Sequence, residues 1–250
     1  MTLKLHFLFS RNKKAQEAKR KIKKYYKNYS AIKSDVYVVC GGDGFMLRSI
    51  KQFYNYKKPF YGLNCGNIGF LMNDYNLKKI EHNILQSKKI LIKPLLVKSV
   101  TEKNLKKKVL AINEISLLRQ TKQTSSIKVT INKKIFLNDL IGDGILLATP
   151  VGSSAYNYSL GGPILTLGSN KLSLMPISPF KPRSWKGSVI SNKKTFFFRN
   201  NKLHRKISLV ADNQEIRNIK SVTAKQSNIN IELLFNKKRN HKKKIKLLNK

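Results

Sequence analysis

Short apolar runs and amphipathic stretches alternate through the first part of the chain. Leu3–Phe9 reads as a strand, Asn12–Tyr26 as a basic helix and Asp35–Cys40 as a β-branched buried strand. Phe45–Tyr54 has apolar residues at helical spacing, and Pro59–Leu63 is again strand-like. Strand–helix alternation predicts right-handed crossovers and a parallel sheet, with ligands at the carboxyl ends of its strands. From about Lys93 helical periods become scarce. Lys93–Val100, Lys108–Arg119, Ser126–Ile131, Lys134–Asp139, Ile145–Ala148, Thr195–Arg199, Lys206–Ala211 and Asn228–Phe235 read as strands, with a hairpin turn at Asn132-Lys133. The expected fold is an α/β N-terminal domain with a parallel sheet, over 1–95, followed by an all-β, sandwich-like domain over 96–235. The last residues, 236–250, are too basic for a core and read as a frayed tail or a surface helix.

Composition narrows the class. With 250 residues and 41% hydrophobic residues the chain can bury a core and is not a disordered basic tail. No apolar run approaches the roughly 20 residues of a membrane span, and the apolar patch within Met1–Ser10 is too short for a signal peptide. No membrane partner is expected. Cys40 and Cys65 each follow a strand-like run, which fits a reduced, cytoplasmic setting, and no His/Cys cluster marks a zinc site. Fifty-one basic residues against 12 acidic ones give a net charge of +39. That excess would attract nucleotides and, non-specifically, RNA. It is spread along the chain, and lysine outnumbers arginine, so a solvated surface rather than a specific nucleic-acid reader is expected.

Four stretches carry candidate chemistry. Gly41-Gly42-Asp43-Gly44 places a carboxylate on a glycine turn between a strand and a helix. There it can either cap the helix or take a proton beside a phosphate held by backbone N–H groups. Gly62-Leu63-Asn64-Cys65-Gly66-Asn67-Ile68-Gly69-Phe70-Leu71 is a glycine-asparagine loop after a strand. Asn113-Glu114 interrupts an apolar strand, and because neighbours on a strand point to opposite faces, one of the two should face an interior or a cleft. Gly142-Asp143-Gly144 begins a run that ends in Thr149-Pro150-Val151-Gly152-Ser153-Ser154-Ala155-Tyr156, a hydroxyl-rich turn able to offer donors to a ligand. Tyr156 could stack on a base or pack in the core.

In this order, from about Asp35 to Gln214, the stretches resemble the NAD kinase family. The resemblance implies transfer of the ATP γ-phosphate to the 2′-hydroxyl of the adenosine ribose of NAD, giving NADP. It implies Asp43 as the proton acceptor and Gly44 as an NAD contact, with Arg48 counted beside it. Asn113 and Glu114 match the pair that binds the dinucleotide, and Asp143 matches the acid near its nicotinamide-bearing part. Ser154, Ala155, Tyr156, Asn157, Tyr158 and Ser159 match the adenine- and ribose-binding turn, Phe70 an aromatic beside the nucleotide, and Gln214 a late polar contact. Mg²⁺ or another divalent cation would accompany ATP, and homo-oligomers are implied.

Three positions depart from the family pattern. Val151, counted with the same turn, stands where Thr or Ser is common. Ile141 stands where a basic residue is frequent, and Ser154 replaces the commoner Thr. A lipid or sugar kinase would share only the GGDG turn. A non-catalytic RNA-binding protein would need aromatics interleaved with arginine on a sheet face, and Phe196-Phe197-Phe198-Arg199 is the one such cluster.

Overall fold

The computed structural model describes residues 3–67 and 69–237. The chain divides into two compact units, one of residues up to Ile92 together with those from Asn230 onward, the other Lys93–Ile229. The first unit opens with β1 (Leu5–Phe9), α1 (Lys13–Tyr25), β2 (Val36–Gly41), α2 (Asp43–Phe53), β3 (Phe60–Asn64), α3 (Ile80–Leu85) and β4 (Lys88–Ile92). Asn12 starts α1 because its side chain accepts the Ala15 N–H at 2.8 Å. That helix buries Ala15, Ala18 and Ile22, a single stripe at helical spacing, and leaves its lysines in water. β1, β2 and β3 run parallel, with Phe7 beside Val38 and Cys40 beside Leu63. β2 is buried along its whole length, as an uninterrupted apolar run in a covered parallel sheet should be. Each such fully buried Val contributes about 1.5–3 kcal/mol.

The second unit holds β5 (Leu95–Thr101), β6 (Lys106–Ala111), β7 (Glu114–Arg119), β8 (Ser125–Ile131), β9 (Lys134–Ala148), α4 (Tyr156–Ser159), β10 (Lys171–Lys181), β11 (Ser188–Ser191), β12 (Phe196–Asn200), β13 (Ile207–Ala211), β14 (Gln214–Ile216) and β15 (Ile219–Gln226). They form an antiparallel sheet ordered β14-β13-β7-β9-β8-β12-β15-β5-β6, with β10 also on β9 and β11 on β10. β13 approaches β15 and β6, far from it in strand order, so the sheet folds over its own core. Leu117, Ile127, Leu147, Phe196, Phe198 and Leu209 meet there from five strands.

The last strand, β16 (Ile231–Phe235), belongs to the first sheet, whose order is β1-β2-β3-β16-β4. The expected assignment of Asn228–Phe235 to the second domain is therefore corrected, as is the span 96–235. The apolar alternation of these residues announces a strand, but nothing local says which sheet has a gap. Two other expectations change. Lys108–Arg119 is not one strand, because the Asp212 carboxylate takes the backbone N–H groups of Ile112, Asn113 and Glu114 and breaks the ladder between β6 and β7. Lys134–Asp139 and Ile145–Ala148 are one 15-residue strand, β9, continuous through Gly142-Asp143-Gly144. At Gly144 (φ 158°) a Cβ would lie 1.9 Å from the Leu117 carbonyl oxygen, so a residue that reads as a break lets two strands close up. The expected tail lies outside the described residues beyond Lys237.

Candidate active site

In the first unit the carboxyl ends of three strands are tied together. Ser10 N–H donates to Cys40 O (2.9 Å), Cys65 N–H to Gly41 O (2.7 Å) and Asn12 Nδ2 to Cys65 O (3.1 Å). Asp43 stands above β2 as the first residue of α2. It does not cap that helix with its side chain, since Gly42 is the cap and makes no side-chain bond. Its carboxylate instead accepts the Phe70 N–H at 2.6 Å and the Leu71 N–H at 2.9 Å. The glycine-asparagine loop thus has a task, to turn two consecutive amides onto one acid.

Packing explains the loop's composition. A Cβ on Gly62 would be 2.7 Å from both Met46 Cε and Met72 Sδ, and one on Gly69 would be 2.9 Å from Met72 Cγ. Asn64 Oδ1 accepts the Gly66 N–H at 3.0 Å, closing the turn. The buried Asn73 donates to Gly62 O and Leu234 O and accepts the Asn236 N–H, locking the loop to β16. By contrast Gly42 and Gly44 have open space where a Cβ would be, so no packing demands glycine there and a ligand can approach the backbone. Phe70 is 8% exposed, its ring turned inward, while Arg48 is exposed and lies over the Phe45 ring.

In the second unit Asp212 organises the Asn-Glu turn. Its Oδ1 accepts from Asn113 N (2.8 Å) and Glu114 N (3.3 Å), and its Oδ2 from Ile112 N (2.9 Å). Thr149 finishes the turn from the other side, donating its N–H to Asn113 O and its hydroxyl to Ile112 O, while its Oγ1 accepts the N–H groups of Val151 and Gly152. Gly152 is obligatory. A Cβ there would lie 2.3 Å from Asn113 O and 2.6 Å from Glu114 Oε2. With the backbone so occupied, Asn113 Oδ1 and Glu114 Oε2 are buried with no hydrogen-bond partner. Burial, and then the negative charge of Asp212, push the Glu114 carboxyl up to about 8. Both side chains of the pair are half-buried, and Asn113 lies in the break between strands, so the strict alternation expected of a strand does not apply to it.

The remaining predicted residues divide. Asp143 is half-exposed and ion-paired with Arg119 Nε at 2.5 Å, so the basic partner absent at Ile141 comes from β7. Val151 is buried, with Ser154 and Ala155 half-buried, Tyr156 39% exposed and Ser159 exposed. Tyr156 is therefore on the surface rather than in the core. Tyr158 is half-buried in the same short helix. Asn157 is fully buried, its Nδ2 held by Ser153 O and Pro163 O and its Oδ1 left without a partner. Gln214 is exposed at the start of β14, one turn from Asp212. Sequence reading missed Asp212 and Arg119, and read Ser153 as a donor to a ligand, whereas its hydroxyl donates to Pro150 O and accepts the Leu165 N–H. Only Asp212-Asn213, a turn dipeptide between strands, carried a local signal.

Comparison with known proteins places this geometry. Residues 112–221 match the ATP-NAD kinase C-terminal domain. The NAD kinase of Brucella suis biovar 1 (strain 1330) is 40% identical over 240 residues, 94% of this chain and 93% of that protein. That of Rickettsia bellii (strain OSU 85-389) is 41% identical over 236 residues, 94% and 92% of the two chains. Among solved structures, yeast NADH kinase complexed with NADH superposes with a TM-score of 0.81 at 17% identity, covering 99% of this chain and 87% of that one. An Archaeoglobus fulgidus NAD kinase in complex with ATP gives 0.78 at 21% identity, covering 98% and 99%. At such identities these two structures speak for the fold.

Proposed function

This chain belongs to the NAD kinase family and is an enzyme that makes NADP from NAD and ATP, and we propose that Asp43 is its proton acceptor. The single observation that carries the role is the pair of amides on Asp43. They fix both oxygens while the residue stays half-exposed, and a carboxylate has about four lone-pair sites, so acceptor capacity remains. In the reaction the 2′-oxygen bonds to the γ-phosphorus, the bond from phosphorus to the β-phosphate oxygen breaks, and the hydroxyl proton passes to Asp43 as ADP leaves. Positioning and charge compensation do most of the work in such a transfer.

Asn113 Oδ1 and Glu114 would receive and exchange hydrogen bonds with the dinucleotide, since both stand buried and unfulfilled. The half-exposed Asp143 and the turn of Ser154, Ala155, Tyr156, Tyr158 and Ser159 would hold the rest of it, with Gly44, Arg48, Phe70 and Gln214 as further contacts. Asn157 and Val151 would act by shaping that turn from inside. The divalent cation would arrive with the substrate, as MgATP. Among the described residues no three His, Cys, Asp or Glu side chains gather to hold a metal ion.

The same reading makes the chain a homo-oligomer of the cytoplasm. Two free, buried cysteines suit a reducing compartment, and among the described residues no helix is long and apolar enough to cross a membrane. The test is incubation of the purified chain with NAD, ATP and Mg²⁺. NADP is the expected product; phosphorylation of a lipid or sugar without NADP would overturn the reading. Sedimentation of the same preparation checks the oligomer.

A further inference from the structure

The Phe196–Arg199 cluster acquires a meaning from its register. Phe196 and Phe198 point into the core, at 0% and 1% exposure, whereas Phe197 is 37% exposed and Arg199 is exposed beside it. Cross-strand pairing extends this outer face in both directions. One row runs Lys108, Lys98, Thr223, Phe197, Thr130 across β6, β5, β15, β12 and β8. The next runs Lys106, Val100, Ser221, Arg199, Lys128 over the same strands, and Lys225 stands two residues beyond Thr223. Five strands at about 4.8 Å spacing make a face roughly 20 Å across. It carries six cations and, at its centre, one exposed aromatic ring flanked by two threonines.

Such a face is electrostatically unfavourable by itself. Lys98 lies directly opposite Lys108, and Arg199 directly opposite Lys128, and like charges in facing positions destabilise a sheet. Among the described residues none of the six has a carboxylate partner. Two acids border the face: Glu102, at the end of β5, and Asp139, on β9 at the register shift opposite Lys128, whose Oδ1 accepts hydrogen bonds from Ser126 and Asn201. A second copy of this face would meet it with the same sign of charge. What complements it is a polyanion with flat rings.

We propose that this outer face of the second sheet binds single-stranded nucleic acid without sequence preference, Phe197 stacking on a base and the surrounding cations holding phosphates. Sheet faces with a central aromatic and a basic surround are how many single-strand binders work, and stacking tolerates any base. Lysine-rich phosphate contact positions the strand without reading it. None of these residues is among those assigned to NAD and ATP, so the binding would be a second property of the enzyme rather than part of its reaction.

The test uses the full chain and a fluorescent oligouridylate of about 12 nucleotides, within the site sizes of single-strand binders. Anisotropy is followed across a salt series. Phe197→Ala should weaken binding about ten-fold with the salt slope unchanged, and Phe197→Tyr should restore it. Lys98→Ser with Arg199→Ser should lower the slope by about 0.7 per lost phosphate contact. NADP formation should be untouched in every variant, which also reports that each is folded. The proposal is overturned if the parent fails to bind the oligonucleotide or if Phe197→Ala binds as the parent does. It also falls if binding disappears only on deleting 237–250. Binding of phosphatidylserine vesicles in preference to the oligonucleotide, or loss of a dimer in Phe197→Ala, would equally overturn it.

Discussion

Asp43 and Glu114 are both carboxyl groups placed at strand ends by tight turns, and the fold treats them in opposite ways. Asp43 receives two amides from a neighbouring loop and stays half in water. Glu114 is half-buried, its buried Oε2 has no partner, and Asp212 has already claimed the turn's own amides. The first acid is held in place with acceptor capacity to spare, as the proposed proton acceptor needs. The second is held at a cost that a bound molecule can relieve, because a buried polar atom without a partner forfeits about 1–3 kcal/mol. One acid is placed by satisfying its oxygens and the other by leaving an oxygen unsatisfied.

The sharpest way to break this comparison is Asp43→Asn. The change is nearly isosteric, and its amide oxygen can still take one of the two N–H bonds, so the fold should hold. NADP formation should fall about 10²–10⁴-fold. Normal turnover by the folded variant would remove Asp43 from its role. Asn113→Ala tests the other side and should act mainly on the KM for NAD, about ten-fold, as expected when a binding contact rather than a transition-state contact is lost. A collapsed kcat at unchanged KM would reverse that assignment.

Glu114 sharpens the comparison through pH. A carboxyl raised from 4.5 to about 8 by folding favours the folded state fully below its unfolded value. That contribution is lost as pH rises toward 8. Glu114→Gln should therefore melt close to the parent near pH 5 and increasingly above it toward pH 9, each 1 kcal/mol being worth about 2–4 °C. Saturating NAD should shrink the difference. A gap that stays constant with pH would show that the carboxyl is not stranded. The smallest effect belongs to the tail. Removing 237–250 should leave kcat and KM nearly intact at about 0.15 M salt, where exposed charges are screened beyond about 8 Å. Lost activity in a folded truncation would make the tail part of the site or of an oligomer contact.

What could be read from the sequence was what short segments specify by themselves. The strand before Gly41, the helix after Asp43 and the parallel start of the fold follow from local apolar runs and breakers. β10 did not, because Pro176 and Pro179 argue against a strand. They are tolerated because that stretch pairs only with β9 and leaves its other edge free beyond β11. β15, IKSVTAKQ, hid because its outer face is polar and its alternation modest. In the site, Asp43, Asn113, Glu114 and Gly152 were legible as motif residues, while their supports were not. Asp212 acts on residues about a hundred positions away, and Arg119 reaches Asp143 across two paired strands. Such partners are set by sheet register, which single-sequence periodicity does not encode.

The return of β16 to the first sheet has a consequence for the birth of the molecule. On the ribosome β3 and β4 emerge early, yet the strand that lies between them is nearly the last to appear, roughly 140 residues after Ile92. At synthesis rates of about 5–20 residues per second that is a wait of roughly 7–30 s. Throughout it, two strand edges stand open to any passing β-segment. The second unit, uninterrupted from Lys93 to Ile229, can close meanwhile. Hence the order of assembly runs against the order of translation: the unit that carries Asp43 is translated first and finished last. The Asn73 side chain, bonded to Leu234 and Asn236, ties the loop that grips Asp43 to that final strand. The loop that grips the acid is thus fastened on one side only once β16 has joined the sheet, and under the proposed role the proton acceptor would be set last.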